Sequence, residues 1–286
     1  MKKIKGLLAI DIDGTLTAVR DELSGDVVAF LQELHTSGWK LLFVTGRTLD
    51  WSTRLLEILP FDFYLSVFNG AYTLEYPKKI IIKKCFLQFE HIFQVVNLVK
   101  NEDVGIAFYG APDRFNKSFL YRNNASHVLS NHLMARAKAV CETWTEIDSV
   151  MDLPTDSFAS MRLFCLPHTA KKIGYLIEDT TKLHAPMMKD SYDDCFSVVQ
   201  VTHKDVSKGH ALQHILNHHG KLHPIIACGD DYNDISMLKK ADVAVVMATA
   251  ASDVLSLADI IAPAAVDNGI IQGIKHAMLK LEAMKI

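Results

Sequence analysis

An apolar run at residues 7–10 stops abruptly at Asp11-Ile12-Asp13-Gly14-Thr15, and late in the chain a second run, 224–228, stops at Gly229-Asp230-Asp231. A short apolar segment ending in acidic and glycine residues fits a strand buried on both faces, the form that parallel sheets take. The carboxylates then lie just past the strand's carboxyl end, and open parallel sheets bind their ligands along that edge. Two such junctions in one chain call for a parallel sheet whose carboxyl edge carries the chemistry.

The first third alternates strand and helix signals. Ser24 is placed to cap a helix whose apolar positions Val27, Val28, Leu31 and Leu34 keep helical spacing, and Gly38 closes it. Residues 40–44 read as a second strand, broken by Thr45-Gly46-Arg47. A helix over 49–59 is stopped by Pro60, and residues 64–68 form a third strand ending at Asn69-Gly70. This alternation implies right-handed crossovers and helices on both faces of a parallel sheet. The last third resumes the rhythm, with helices over 208–218 and 233–239, strands over 224–228 and 243–247, and a terminal helix from Gly269. The middle is less regular. Strand-like runs at 105–109 and 161–166 mix with amphipathic helices at 91–100 and 170–180. The expected fold class is α/β: a parallel-sheet core of residues 1–83 and 199–286, interrupted by an inserted α+β domain at 84–198. The crossings are expected near 82–85 and 196–201.

Composition narrows the function classes. With 286 residues, 49% hydrophobic and 22% charged, the chain can bury one large core or two modest ones. A formal net charge of -3 offers no basic excess for nucleic acid. Lys2, Lys3 and Lys5 resemble the start of a signal peptide, but the apolar run behind them is too short and is cut by Asp11 and Asp13. No stretch approaches the ~18 uninterrupted apolar residues of a membrane span. The five cysteines (Cys85, Cys141, Cys165, Cys195, Cys228) are odd in number, scattered and without a CxxC pair, so they read as reduced thiols of a cytoplasmic protein.

Four segments carry candidate chemistry. In extended chain, residues two apart point the same way, so Asp11 and Asp13 can address one substrate, one as nucleophile and the other as proton donor. The alternative, a calcium loop, needs a run of further oxygen ligands and a Glu at its twelfth position; Thr15, Thr17 and Glu22 match it poorly. Thr45 and Gly46, after the second strand, offer a hydroxyl and backbone N–H groups to a phosphate oxygen, although a Thr at a helix start is usually only a cap. Lys208 can neutralise phosphate charge and keep Asp11 ionised, although a lone lysine is ordinarily a solvated surface residue. The cluster Gly229-Asp230-Asp231-Tyr232-Asn233-Asp234 is costly through mutual repulsion unless a cation sits in it, and with Asp11 it suits Mg²⁺. The bland alternative there is an acidic helix start.

As a set, Asp11-Ile-Asp13-Gly-Thr, Val-Thr45-Gly-Arg, Lys208-Gly and Gly-Asp230-Asp-Tyr-Asn-Asp234 resemble, in order, the four motifs of the haloacid dehalogenase superfamily. Asn69-Gly70-Ala71, the insertion between the second and third motifs, and Ala258-Asp259-Ile260 resemble its Cof-type branch, subfamily IIB, which includes sugar-phosphate phosphatases. The resemblance covers the core and is only topological across the insertion. It implies a Rossmann-like core and a cap, residues 84–198, that closes over the site and selects a small phosphate ester. It implies that Asp11 attacks phosphorus to form an aspartyl-phosphate, that Asp13 protonates the leaving oxygen and then activates water, and that Thr45 and Lys208 hold phosphoryl oxygens. Mg²⁺ would lie on Asp230, the Asp11 carboxylate and the Asp13 carbonyl, supported by Asp234, with Asp231 a further candidate. Arg47, Asn69, Gly70 and Asn233 are candidates for substrate contact. One departure is Met247-Ala248-Thr249-Ala250, where relatives commonly carry a Met-Gly-Asn-Ala turn.

Two rivals remain at this stage. A phosphosugar mutase is suggested by Thr15, Leu16, Thr17 and Arg20, which resemble the start of phosphomannomutases. A non-catalytic phosphosugar-binding protein is the other, disfavoured because Asp11, Asp13 and Lys208 are all present. His210, His214 and His218 share a helix face without an acidic partner and read as a solvated face. Arg114, Arg122 and Arg162 in the insertion are candidates for a charged part of the substrate, with surface placement the expectation for each.

Overall fold

A computed structural model describes residues 4–18, 22–110, 117–154, 157–190, 192–220 and 222–284. Arg20 and Arg114 lie outside them. The chain divides into two units, residues 1–84 with 207–286 and residues 85–206.

The first unit begins with β1 (Gly6–Asp11), α1 (Gly25–Thr36), β2 (Trp39–Val44), α2 (Leu49–Leu56), β3 (Phe63–Val67), β4 (Tyr72–Tyr76) and β5 (Ile80–Lys84). In β1, Leu7, Leu8, Ala9 and Ile10 have no exposed surface, as strands covered on both faces require. Ser24 caps α1, its side chain accepting from Val27 N–H, and Gly38 follows with φ 104°. Helix α2 ends at Leu56, short of the expected 59. Leu59 N–H bonds three residues back to Leu56 C=O, and Pro60 biases the residue before it away from helix.

The second unit holds β6 (Leu87–Gln88), α3 (Phe89–Leu98), β7 (Gly105–Tyr109), β8 (Ser118–Tyr121), α4 (His127–Ala139), β9 (Trp144–Ile147), β10 (Ser157–Phe158), β11 (Ser160–Cys165), α5 (Pro167–Thr181), β12 (Met187–Lys189) and β13 (Ser197–Val201). The chain then returns to the first unit through α6 (Lys208–His219), β14 (Ile225–Gly229), α7 (Ile235–Leu238), β15 (Val243–Met247), α8 (Ser252–Leu255), β16 (Ile260–Ala262) and α9 (Gly269–Ala283).

The first unit's sheet runs β16-β15-β14-β1-β2-β3-β4-β5. Strands β16 to β3 in that order are parallel, and β4 and β5 add an antiparallel edge. On one face Ala211, Leu212 and Ile215 of α6 and Met237 and Leu238 of α7 bury Leu7, Ala9, Leu42, Ala227 and Val246. Helices α1 and α9 pack on β2 and on β14 to β16 respectively. Asp259 locks the last parallel edge, accepting from Ala244 N–H at 2.9 Å and pairing with Lys280 at 2.6 Å. The winding leaves β1 toward β2 on one side, and later toward β15 from β14 on the other, so the order reverses between β1 and β14. Ligand crevices of doubly wound sheets open at that reversal, beyond the carboxyl ends of the strands.

The second unit has a mixed sheet, β12-β13-β11-β7-β8-β9. Ile92, Val95 and Val96 of α3 and Ile173 and Ile177 of α5 pack with Ile106, Met161, Leu163, Val199 and Val201 of the sheet. The second crossing, expected at 196–201, comes after Val206. Residues 197–201 form β13, which is paired on both sides by β11 and β12 and cannot leave this sheet. Helix α4, unread in the sequence because its buried face carries His132 and Arg136 beside Leu129 and Leu133, shows why polar residues obscure periodicity. Arg136 donates to Asp190 at 3.0 Å and to Glu142 at 2.6 Å, and His132 lies 2.8 Å from Asp190. Arg162, expected at the surface, is buried, 3.6 Å from Glu142 and over the Tyr109 ring at 4.9 Å. Arg122 pairs with Glu146 at the sheet edge. No helix among the described residues is long and apolar enough to cross a membrane.

Burial pushes the Asp190 carboxyl up, but the His132 hydrogen bond and the Arg136 charge outweigh it and hold it below its ordinary value. A lowered carboxylate stabilises the fold above its unfolded pKa, about 4, and that contribution is lost as pH falls through the lower folded value. Urea unfolding of Asp190→Asn should therefore show a loss of roughly 3 kcal/mol at pH 7, and the gap to wild type should narrow below about pH 4.

Candidate active site

Asp11 ends β1 and is buried, with one carboxylate oxygen accepting from Lys208 Nζ. Lys208 opens α6 behind the cap Ser207, whose hydroxyl accepts from His210 N–H at 3.1 Å; Gly209 N–H donates to Ser236 Oγ at 2.9 Å. These bonds fix the helix start, so the lysine side chain reaches inward instead of to solvent. Its ammonium also donates to Asp234 at 2.8 Å. Burial alone would lower the Lys208 pKa, yet Asp11 and Asp234 together hold it above the usual lysine range.

Asp234 is fully buried and committed. Its Oδ2 accepts from the backbone N–H groups of Asp230 and Asp231, both at 3.1 Å, while Oδ1 takes Lys208. It folds the loop after β14 and anchors the lysine. Asp230 points the other way, accepting from Thr15 Oγ1 at 2.7 Å. Burial, only partly offset by that bond, pushes its carboxyl up to about 6. Burial also raises Asp11 well above the usual range; Lys208 opposes this, and Asp234, Asp230 and Asp13 add to it. Carboxylate oxygens of Asp11, Asp230 and Asp234 lie within 4.8 Å of one another. Asp231 falls outside this group. It is exposed and caps the next turn, accepting from Tyr232 N–H at 2.7 Å.

The chain reverses straight after Asp13. Gly14 has φ 81° and donates to Thr17 C=O at 2.9 Å, and a β-carbon there would lie 2.3 Å from Asp230 Oδ2. Only glycine lets the first acidic loop come this close to the second. Asp13 takes a different partner from Asp11. Arg47, buried, grips its carboxylate with Nε at 2.9 Å and Nη2 at 2.6 Å, and lies over the Trp51 ring at 4.5 Å. Arg47 is thus placed on Asp13, and Trp51 is the supporting residue that sequence reading missed; a Trp four positions after an Arg on a helix start was the available signal.

Thr45 is buried after β2, its hydroxyl accepting from Arg47 N–H at 3.1 Å. Asn69 N–H donates to Thr45 C=O at 2.8 Å from a left-handed conformation, φ 58°. The Asn69 amide faces Gly46, and its Oδ1 accepts from Asn233 at 3.1 Å. Gly70 meets the start of α6: a β-carbon there would lie 2.6 Å from Ser207 C=O. Of the sequence-predicted residues, the structure therefore gathers Asp11, Asp230, Asp234 and Lys208 at one point, with Asp13–Arg47 and Thr45, Gly46, Asn69 and Asn233 in adjoining loops of the same sheet edge. Of the three histidines of α6, His210 lies 3.1 Å from Ser207 Oγ at the helix start.

From within β1 to the first turns of α9, residues 8–274, the chain matches one family model, described as haloacid dehalogenase-like hydrolase. The chain belongs to that family. This hydrolase is 24% identical over 262 residues to the pyridoxal phosphate phosphatase YbhA of Escherichia coli, covering 89% of this chain and 92% of that protein. It is 23% identical over 273 residues to the 5-amino-6-(5-phospho-D-ribitylamino)uracil phosphatase YcsE of Bacillus subtilis, covering 96% of each. Among solved structures, a haloacid dehalogenase-like hydrolase from Bacteroides thetaiotaomicron superposes with TM-score 0.76 at 20% identity, covering 96% of this chain and all (100%) of that one. A structure described as the subclass IIB sugar phosphatase BT4131 gives 0.73 at 20% identity, covering 95% and 98%.

The residues fit a divalent cation. An all-oxygen set with two carboxyls pushed toward protonation by burial and by one another is the donor chemistry that Mg²⁺ relieves. Removing the ammonium should expose the same strain. In a chelating buffer, Lys208→Met is expected to lose about 3–5 kcal/mol at pH 7, as for any buried ion pair stripped of one partner. Because burial raises the folded pKa values of Asp11 and Asp230, protonation should restore part of this between pH 7 and 5, read by chemical denaturation. A pH-independent loss would contradict the electrostatic account.

Proposed function

We propose that this hydrolase is a Mg²⁺-dependent phosphatase that cleaves a small soluble phosphomonoester, a sugar phosphate by preference, through an aspartyl-phosphate on Asp11. The observation that carries the reading is the buried ammonium of Lys208 shared between Asp11 and Asp234 beside Asp230. A carboxylate nucleophile at a strand end, a fixed cation to balance the incoming phosphoryl oxygens, and a second carboxylate for a metal are the parts that phosphoryl transfer needs.

Asp11 attacks phosphorus as the bond to the leaving oxygen breaks. Asp13 gives that oxygen a proton, and then takes one from the water that opens the acyl phosphate. Arg47 holds the Asp13 carboxylate in a bidentate grip, stiffened by Trp51, so the proton carrier keeps one orientation through both half-reactions. Thr45 accepts from Arg47 N–H, which leaves its own O–H to donate to a phosphoryl oxygen, and Lys208 neutralises charge beside it. Asp11, Asp230 and the Asp13 carbonyl would hold Mg²⁺, which, when bound, neutralises phosphoryl charge and orients the ester. Asp234 supports by fixing Asp230 N–H and Lys208. Residues 85–206 contribute substrate choice, and the relatives named for pyridoxal phosphate and a phosphoribityl compound support a small phosphorylated metabolite over a phosphoprotein. The five scattered cysteines without a CxxC pair support a cytoplasmic location.

The test is phosphate release from sugar phosphates, pyridoxal phosphate and p-nitrophenyl phosphate, with Mg²⁺ or with EDTA. Release is expected only with Mg²⁺, and Asp11→Asn should lower it by about three orders of magnitude or more. Release that survives the substitution would overturn the nucleophile assignment. Isomerisation of a hexose phosphate without free phosphate would replace the phosphatase by a mutase.

A further inference from the structure

The second unit contains a pair with nucleophile chemistry that the proposed hydrolysis does not use. Cys85 Sγ lies 3.2 Å from His203 Nδ1. Cys85 is the first residue of the unit, and His203 stands close to its last, Val206. The same Nδ1 accepts the backbone N–H of Asp205 at 3.2 Å. A backbone N–H can only donate, so Nδ1 carries the lone pair, Nε2 carries the hydrogen, and the thiol is the donor to the ring. The basic nitrogen of an imidazole thus faces the sulfur, which is the arrangement that turns a thiol into a thiolate.

The surroundings favour the transfer. Burial lowers the His203 pKa, with His91 and Lys204 acting the same way and Asp205 opposing them, so the ring is a neutral base at pH 7. The His91 ring stands nearly perpendicular to it, 77°, with centroids 5.6 Å apart. When Nδ1 takes the proton, the Asp205 N–H gives up its bond, and the Asp205 carboxylate, 3.7 Å from that nitrogen, offsets the loss. Cys85 is half-buried, so solutes can reach it. The other thiols lack this setting. Burial pushes Cys165 up to about 12 and Cys228 higher, and Asp193 raises the exposed Cys195 through a side-chain hydrogen bond. Cys141 is exposed.

We propose that Cys85 and His203 form a reactive thiol–imidazole pair, and that Cys85 is the site at which this protein undergoes S-thiolation by a low-molecular-weight disulfide. The Cys85 proton passes to His203 Nδ1. The thiolate attacks one sulfur of the disulfide, a new S–S bond forms as the old one breaks, and the departing thiolate takes the proton back from Nδ1. Cys85 is oxidised, and half of the disulfide is reduced to a thiol. No other reactant is needed.

The experiment exposes the native full-length protein to excess oxidised glutathione at pH 7 and follows each cysteine peptide by mass spectrometry. Phosphate release is not the readout, so the result is independent of the hydrolase reading. Cys85 is expected to be modified about tenfold faster than Cys141 and Cys195, although both are more exposed. His203→Gln should bring Cys85 down to their rate or below, with an unchanged circular dichroism spectrum. Should that variant misfold, the wild-type pH profile decides. As pH is lowered toward neutrality, a thiol without a base beside it loses its thiolate, so the ratio of Cys85 to Cys141 modification should rise, with Asp205, His91 and Lys204 the groups that face His203. Equal rates at Cys85 and Cys141, parallel pH profiles, or a His203→Gln protein that reacts as wild type would each overturn the proposal.

Discussion

Lys208 carries its charge into a site almost sealed from water, where it meets Asp11 and Asp234 at hydrogen-bond distance. Each partner alone would be costly to bury, and the three are stable only as a set, because desolvation of one charge is offset by the field of the others. The remaining geometry follows from keeping that set in place. Ser207 and Ser236 fix the helix start that aims the lysine inward, and Gly70 lets the loop after β3 lie against the same helix start. Asp234 uses its second oxygen to fold the loop that presents Asp230. Gly14 allows the first acidic loop to close to within touching distance of the second. The local excess of carboxylates over ammonium then asks for a divalent cation, and the site's chemistry is the consequence of that imbalance.

The sheet explains why residues from opposite ends of the chain can meet. Strands β1 and β14 are hydrogen-bonded neighbours in parallel, so their carboxyl ends deliver Asp11 and Asp230 side by side. Strand β2 lies on the other flank of β1 and brings Thr45, Gly46 and Arg47 to the same edge. The insertion between β5 and α6 leaves this arrangement undisturbed because the parallel core closes on itself through β1 and β14. Asp11, Asp13, Asp230 and the Thr45–Arg47 segment thus come from three adjacent strand ends, and the protein needs no long loop to assemble them.

Much of this was legible in the residues. Short apolar runs ending in acids, helical spacing after Ser24 and the order of the four motifs suffice for the parallel core and for Asp11, Lys208 and Asp230. What stayed hidden has a common cause: local pattern does not record partners. Arg47 read as a substrate contact because nothing in the chain says that its guanidinium stacks on Trp51 and turns to Asp13. Asp231 and Asp234 are indistinguishable as letters, yet one caps an exposed turn and the other is buried under Lys208. The strand pair β4 and β5 and helix α4 were missed for a similar reason, since Lys83 and Lys84 in a strand, and His132 and Arg136 on a buried helix face, break the expected alternation. Arg162 was expected at the surface because its compensating neighbour, Glu142, is distant in sequence.

The central claim is that the Asp11 carboxylate becomes covalently bound to phosphorus during turnover. Rapid acid quench of the enzyme turning over a phosphate-labelled ester, followed by peptide mapping, tests it most directly. The account predicts an acid-stable, base-labile label on the peptide that carries Asp11, accumulating further when Asp13→Asn removes the group that activates water. Label on any other residue, or turnover with no labelled protein in either form, would contradict it.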